Sequence, residues 1–177
     1  MFVLGIDPGL SRCGYGAVRR DAAATLQAVA GGVVTTPADM DLPQRLRMLM
    51  AELQGLVVEL QPDVVVVEHV FFQNNARTAM SVGQASGLAM VAAAQSGCEV
   101  VRYTSNEVKQ ALVGYGAATK LQVQRMVASV LHLDSPPRPP DVADALALAV
   151  CHLTTMPLRK AIDEALRGRG RGTEAAS

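Results

Sequence analysis

The sequence predicts an α/β domain, one mixed sheet with helices on both faces, and three observations carry this. Three β-rich runs follow one another at the N-terminus with short polar links. Helical and extended periodicities then alternate. One run, Val64 to Val67, is apolar at every position. Short links between successive strands favour an antiparallel meander. Alternation of helix and strand favours a sheet under helical cover. An unbroken Val run suits a strand buried on both faces.

Residues 2–7 read as the first strand, Gly14 to Arg19 as the second and Leu26 to Thr35 as the third, with a polar turn at Arg20-Asp21. Leu42, Leu46, Leu49, Leu53, Leu56, Val57 and Leu60 recur at steps of three and four, which makes 42–60 an amphipathic helix. Gln61-Pro62-Asp63 stops it, and strand 64–68 follows. Residues 75–96, rich in Ala, Gly and Ser, read as a helix, and 98–104 as the fifth strand. Shorter helices are expected at 105–113 and 119–133. The run Pro136-Pro137-Arg138-Pro139-Pro140 is expected to stay outside any helix and to deliver the chain to a last one at 141–154. The remainder, 158–177, includes the low-complexity stretch from Arg167 to Gly172 and is expected to be a basic tail without regular structure. The order is β-β-β-α-β-α-β-α-α-α.

The 177 residues suit one domain, and half of them are hydrophobic, so the chain is globular. With no Trp, three Phe and three Tyr, the core falls to Val, Leu, Ala and Met. Cys13, Cys98 and Cys151 are odd in number and unrelated in spacing, which indicates neither zinc ribbon nor disulfide framework and fits a reduced, cytoplasmic compartment. No apolar run reaches the length of a membrane span, and the first one is too short for a signal peptide. Sixteen basic residues balance sixteen acidic ones, so composition alone does not suggest nucleic acid. That reading has to come from a site.

Asp7 ends the apolar run Phe2 to Ile6, Glu68 ends the Val run, and Asp141 and Asp144 open the apolar stretch Val142 to Leu153. A carboxylate at the end of a buried strand is costly unless a positive group meets it. The recurrence of this event in distant segments points to one shared cation site. Asp141 and Asp144 stand three apart, which puts their Cβ atoms about 5–6 Å apart on one helical face. Taken singly, each has a plainer reading: Asp141 as a helix cap, Asp144 as a first-turn acid, Asp7 as a turn former before Pro-Gly. Glu68 is harder to explain that way. Mg²⁺ prefers oxygen ligands, and two such ions about 4 Å apart can clamp both the attacking water and the leaving oxygen of a phosphodiester.

The motifs Leu4-Gly5-Ile6-Asp7-Pro8-Gly9, Gly14-Tyr15-Gly16, Val67-Glu68-His69-Val70-Phe71 and Asp141-Val142-Ala143-Asp144-Ala145-Leu146-Ala147 resemble the RuvC family of bacterial Holliday-junction resolvases. Val108-Lys109-Gln110 and Gly114 to Lys120 extend the resemblance, which covers about residues 1–155. It implies a ribonuclease-H-like nuclease domain over 1–157, with the basic tail 158–177 outside it. It implies a homodimer that nicks two opposed strands of a four-way DNA junction symmetrically, in recombination and repair. It further implies a divalent-metal site of Asp7, Glu68, Asp141 and Asp144 holding two Mg²⁺ ions, with Mn²⁺ as a substitute. The branch-migration proteins RuvA and RuvB are partners by the same resemblance.

Phe71 falls in the loop after Glu68, where the family places an aromatic that stacks on an unpaired base; its plainer role is packing under the loop. Arg77 could reach a phosphate or be a solvated helix-start residue. Lys109 and Lys120 follow the fifth strand, where the family uses basic residues for DNA binding and catalysis. Arg12 and Arg138 flank the acidic segments. His69 should face away from Glu68 by strand alternation. His152, eight residues after Asp144, lies about 12 Å along the helix and cannot share its metal. Ala79, Gly83, Ser86, Gly87 and Ala93 permit close approach to the sheet or to a second copy. Met48, Met50, Met80 and Met90 read as core or interface filler. Gly5-Ile6-Asp7-Pro8-Gly9 also resembles the phosphate hairpin of sugar kinases and actin-like ATPases, but those need two such domains. A non-catalytic DNA-binding module of the same fold is the other alternative, and the intact acid quartet opposes it.

Overall fold

The computed structural model describes residues 1–69 and 76–173, with side chains at 1–69 and 78–156. The elements are β1 Phe2–Asp7, β2 Arg12–Arg20, β3 Leu26–Thr35, α1 Leu42–Leu60, β4 Val64–Glu68, α2 Ala76–Gln95, β5 Glu99–Tyr103, α3 Ser105–Val113, α4 Lys120–Val130 and α5 Pro140–Thr173. They form one sheet in the order β3-β2-β1-β4-β5. The first three strands pair antiparallel, as a meander must. β1, β4 and β5 run parallel.

Strand alternation sends Val3, Val18, Val64 and Val66 to one face, where α3, α4 and α5 cover them. Leu4, Ile6, Val65 and Val67 go to the other, under α1 and α2. β4 is therefore buried on both faces, as its Val run predicts. α3 and α4 each begin with a reciprocal capping box, Thr104 with Glu107 and Thr119 with Gln122. α1 ends at Gln61 in the left-handed conformation, φ 48°.

β2 runs from Arg12 to Arg20 rather than from 14 to 19, α2 ends at Gln95 rather than 96, β5 loses one residue at each end, and three further boundaries differ from expectation. α4 ends at Val130 rather than 133, and His132 beyond it has φ 53°. Pro140 is helical, because a proline in the first turn gives up an N–H that has no partner there. α5 does not stop at 154 but runs to Thr173, into the segment expected to be irregular. Residues 158–167 are mostly good helix formers, and glycines enter only from 168. Pro157 cannot donate to the carbonyl of Leu153 four residues earlier. Arg20 Nη1 on β2 donates to that oxygen instead, at 3.2 Å. Among the methionines, Met50 and Met90 pack against the core, but Met80 is 68% exposed.

α5 lies directly on β1 and β2 because glycines face it. A Cβ on Gly5 would collide with the carbonyl oxygen of Ala145, and one on Gly14 with that of Asp141. At Gly16 it would sit 2.7 Å from Leu146 Cγ. The helix answers with small residues: Ala143, Ala145, Ala147 and Ala149 are buried. Gly5→Ala should therefore push α5 outward and cost about 2–3 kcal/mol, as overpacked cores do. Gly55→Ala, inside α1 with open space around it, should instead stabilise by about 0.5–1 kcal/mol. Chemical denaturation of the two variants checks the pair. Equal stabilities would mean that α5 does not depend on the glycine track.

Candidate active site

Asp7 and Glu68 are the last residues of the neighbouring parallel strands β1 and β4. The strand register pairs Ile6 with Val67, and the next step sets the two acids side by side. Alternation directs both toward the α5 face, where Asp141 and Asp144 occupy the first turns of the helix. Asp7, Glu68 and Asp144 line one cleft of about 340 Å³ with Ser105 and Lys109 of α3 and Lys120 of α4. Val108, Val123, Ala147 and Leu148 also line it. Asp141 stands outside this lining, beside Arg12 at the start of β2.

The acids are neutralised in two ways. Asp7 and Glu68 are hydrogen-bonded to each other. Burial, then the charges of Glu68 and Asp144, push the Asp7 carboxyl up to about 7. Burial also raises Glu68, and the bond from Asp7 opposes this. The helical pair takes cations instead. Arg12 Nη2 and Nε donate to the two oxygens of Asp141 at 2.8 and 3.3 Å, which holds that carboxyl below its ordinary value. Lys120 forms an ion pair with Asp144. Burial still raises Asp144, with Lys120 opposing it. Burial works against the Lys120 ammonium too, but the bond to Asp144 and the surrounding carboxylates outweigh it and raise its pKa. With partners distributed in this way, no three acid, His or Cys side chains among the described residues are arranged to hold an ion.

The turn after Asp7 is anchored by residues that periodicity does not single out. Arg45 on α1 donates to Ser11 Oγ at 2.6 Å and to Thr36 Oγ1 at 2.9 Å, and buried Thr36 donates to the carbonyl of Leu10 at 2.6 Å. Ser105 is likewise a cleft residue that no spacing rule marks. His69 is absent from the cleft lining, and His152 is buried with Nδ1 3.1 Å from the Tyr103 hydroxyl. Cys13 and Cys151 are buried in the core, and Arg138 is exposed. Arg77 has its backbone in the first turn of α2, and its side chain lies outside the described residues, as does all of Phe71.

The shared proton has a consequence for stability. Asp7 binds its proton up to about pH 7 when folded but only to 3.8 when unfolded. Its contribution is thus fully present below pH 3.8 and lost as pH rises through 7. Asp7→Asn should raise the stability of the metal-free protein by up to about 4 kcal/mol at pH 8, and by less than half as much at pH 5. Thermal melts at both pH values measure this. A variant no more stable than the parent at pH 8 would count against a strained carboxyl pair.

Residues 3–152 match the family model described as crossover junction endodeoxyribonuclease RuvC. A Salinispora arenicola protein bearing that description is 50% identical over 175 residues, covering 97% of this chain and 100% of its own length. The solved Thermus thermophilus RuvC structure superposes with a TM-score of 0.83 at 36% identity, covering 89% of this chain and 96% of that one. A second structure, T. thermophilus RuvC in complex with Holliday junction substrate, gives 0.81 at 34% identity with the same coverages. The reading as a two-domain ATP-binding kinase is not favoured by this likeness. Fold, motifs and similarity along nearly the whole chain agree, and the chain belongs to the RuvC family of crossover junction endodeoxyribonucleases.

Proposed function

We propose that this chain resolves Holliday junctions as a divalent-metal-dependent endodeoxyribonuclease, nicking two opposed DNA strands symmetrically as a homodimer. The observation that carries the reading is one cleft lined by carboxylates of β1, β4 and α5 and by lysines of α3 and α4. The Thermus relative solved with a Holliday junction substrate supports the choice of DNA.

Asp7, Glu68, Asp141 and Asp144 would hold the metal. Their oxygens are the hard donors that Mg²⁺ prefers, and the carboxyl pair on the sheet, raised by burial and by the charge of Asp144, is the arrangement a cation relieves. Two bound ions would supply an activated water and charge stabilisation at the leaving oxygen of a phosphodiester. Lys109 and Lys120 hold the scissile phosphate against the acids and stabilise the charge that develops on it. Lys120 sits in the first turn of the capped helix α4, which fixes its backbone at the cleft wall. Phe71 stacks on a base exposed at the crossover, and Arg77 takes a neighbouring phosphate. Residues 1–157 form the nuclease domain and 158–177 a basic extension. Gly83 and Gly87 of α2, where an added Cβ would meet open space, suit a second copy of the chain. RuvA and RuvB are the partners this reading implies, in the cytoplasm. No helix among the described residues is long and apolar enough to cross a membrane.

Asp7→Asn, Glu68→Gln, Asp141→Asn and Asp144→Asn should each abolish cleavage of a synthetic four-way junction in Mg²⁺ or Mn²⁺ while the junction is still bound, because phosphate contacts come from basic groups. Near-normal nicking by one of them removes that residue from the centre, and full activity in EDTA overturns the metal scheme. Lys109→Ala and Lys120→Ala should weaken binding and flatten its salt dependence by about one phosphate contact each. Phe71→Ala should slow cleavage of an intact junction and be partly rescued by unpaired bases at the crossover, a stacking loss of about 1–3 kcal/mol. An equal loss on both substrates would deny Phe71 a part in opening the junction.

A further inference from the structure

Among the described residues, Arg12 is a cation paired with one of the acids but absent from the cleft lining. It opens β2, where its backbone is held opposite Thr35 of β3. Its guanidinium meets both oxygens of Asp141, so the fork occupies the carboxylate instead of touching one edge. Its side chain is nevertheless 51% exposed, against 23% for Asp141, so it has solvent to move into. A carboxylate gripped in this way cannot serve a metal without giving up at least part of the fork. A guanidinium released beside the cleft has one obvious new anion, the DNA backbone.

We propose that Arg12 is an exchangeable counter-ion: it competes with the divalent cation for Asp141 and, once displaced, binds a backbone phosphate, so that metal loading and DNA binding reinforce each other. The proposal rests on the metal-centre reading above and adds a coupling residue to it. Arg12 acts on the metal only through Asp141, and on DNA directly once it is released. Reciprocity is required: whatever DNA does for metal affinity by drawing Arg12 away, metal must do for DNA affinity.

The test is calorimetric titration of the full chain with Mn²⁺ without DNA, for the parent, Arg12→Gln and Arg12→Lys. Junction affinity is then measured by fluorescence anisotropy in EDTA and in Ca²⁺. Without DNA, Arg12→Gln should bind Mn²⁺ about fivefold more tightly than the parent, or better. Arg12→Lys should fall between them, because an ammonium cannot span both oxygens. The gain in junction affinity from EDTA to Ca²⁺ should shrink in Arg12→Gln. Equal or weaker Mn²⁺ binding by Arg12→Gln overturns the proposal, as does an undiminished Ca²⁺ gain. The parent, Asp7→Asn and Asp144→Asn report on the metal centre itself. If the parent binds no Mn²⁺, or binds it unchanged after those substitutions, the metal-centre reading fails. If the parent binds Mn²⁺ and Arg12→Gln merely matches it, only the role of Arg12 fails. Should Arg12→Gln not fold, Arg12→Lys decides by the same criterion.

Discussion

The close seating of α5 on β1 and β2 is the constraint on which the rest of the molecule depends. Helices ordinarily lie on sheets at a distance set by the side chains between them. Here glycines at 5, 14 and 16 face a helix with alanines at 143, 145, 147 and 149. The carbonyls of Asp141 and Ala145 then come to where side chains would normally be. That proximity brings acids 134 or more residues away in sequence from Asp7 into its neighbourhood, and their charges reach it. The Gly-Tyr-Gly motif is thus a packing device.

Such a site opposes its own fold. Asp7 and Glu68 terminate strands whose preceding residues are completely apolar, so neither can turn to solvent without undoing the sheet. The protein meets the cost with a proton between the strand-end acids and with cations on the helical ones. Arg12 comes from β2 and Lys120 from α4, so two elements besides the three that bear the acids take part in balancing the charge. Burial of these carboxyls is thus held at some expense of stability.

The cationic side of the cleft is built by a different means. α3 and α4 are short helices of 9 and 11 residues, below the length at which isolated helices hold together. Capping boxes at Thr104 and Thr119 satisfy their exposed first N–H groups. The buried Val108, Val123 and Val127 tie them to the sheet. Lys109 and Lys120 are consequently carried by anchored backbone, while their ammonium groups keep the freedom of long side chains.

Most of what depends on local period was legible in the sequence. The element order and the all-Val strand follow from apolar spacing, and β1, β3, β4, α1 and α3 have the expected ends. The acids at strand and helix ends stand out for the same reason, since a charge at the edge of an apolar run is visible in one dimension. Both capping boxes are likewise local, as Thr104-Ser-Asn-Glu107 and Thr119-Lys-Leu-Gln122. Tertiary structure alone decided how the charges pair. Nothing in spacing joins Arg12 to Asp141 across 129 residues, or Arg45 to the turn after Asp7. The run of α5 past Pro157 depends likewise on a neighbour: Arg20 of β2 takes the Leu153 carbonyl that the proline leaves unbonded. Periodicity reports which face of an element is buried. Which polar groups then meet across the interface is fixed by register and helix seating, and these exist only once the sheet has formed.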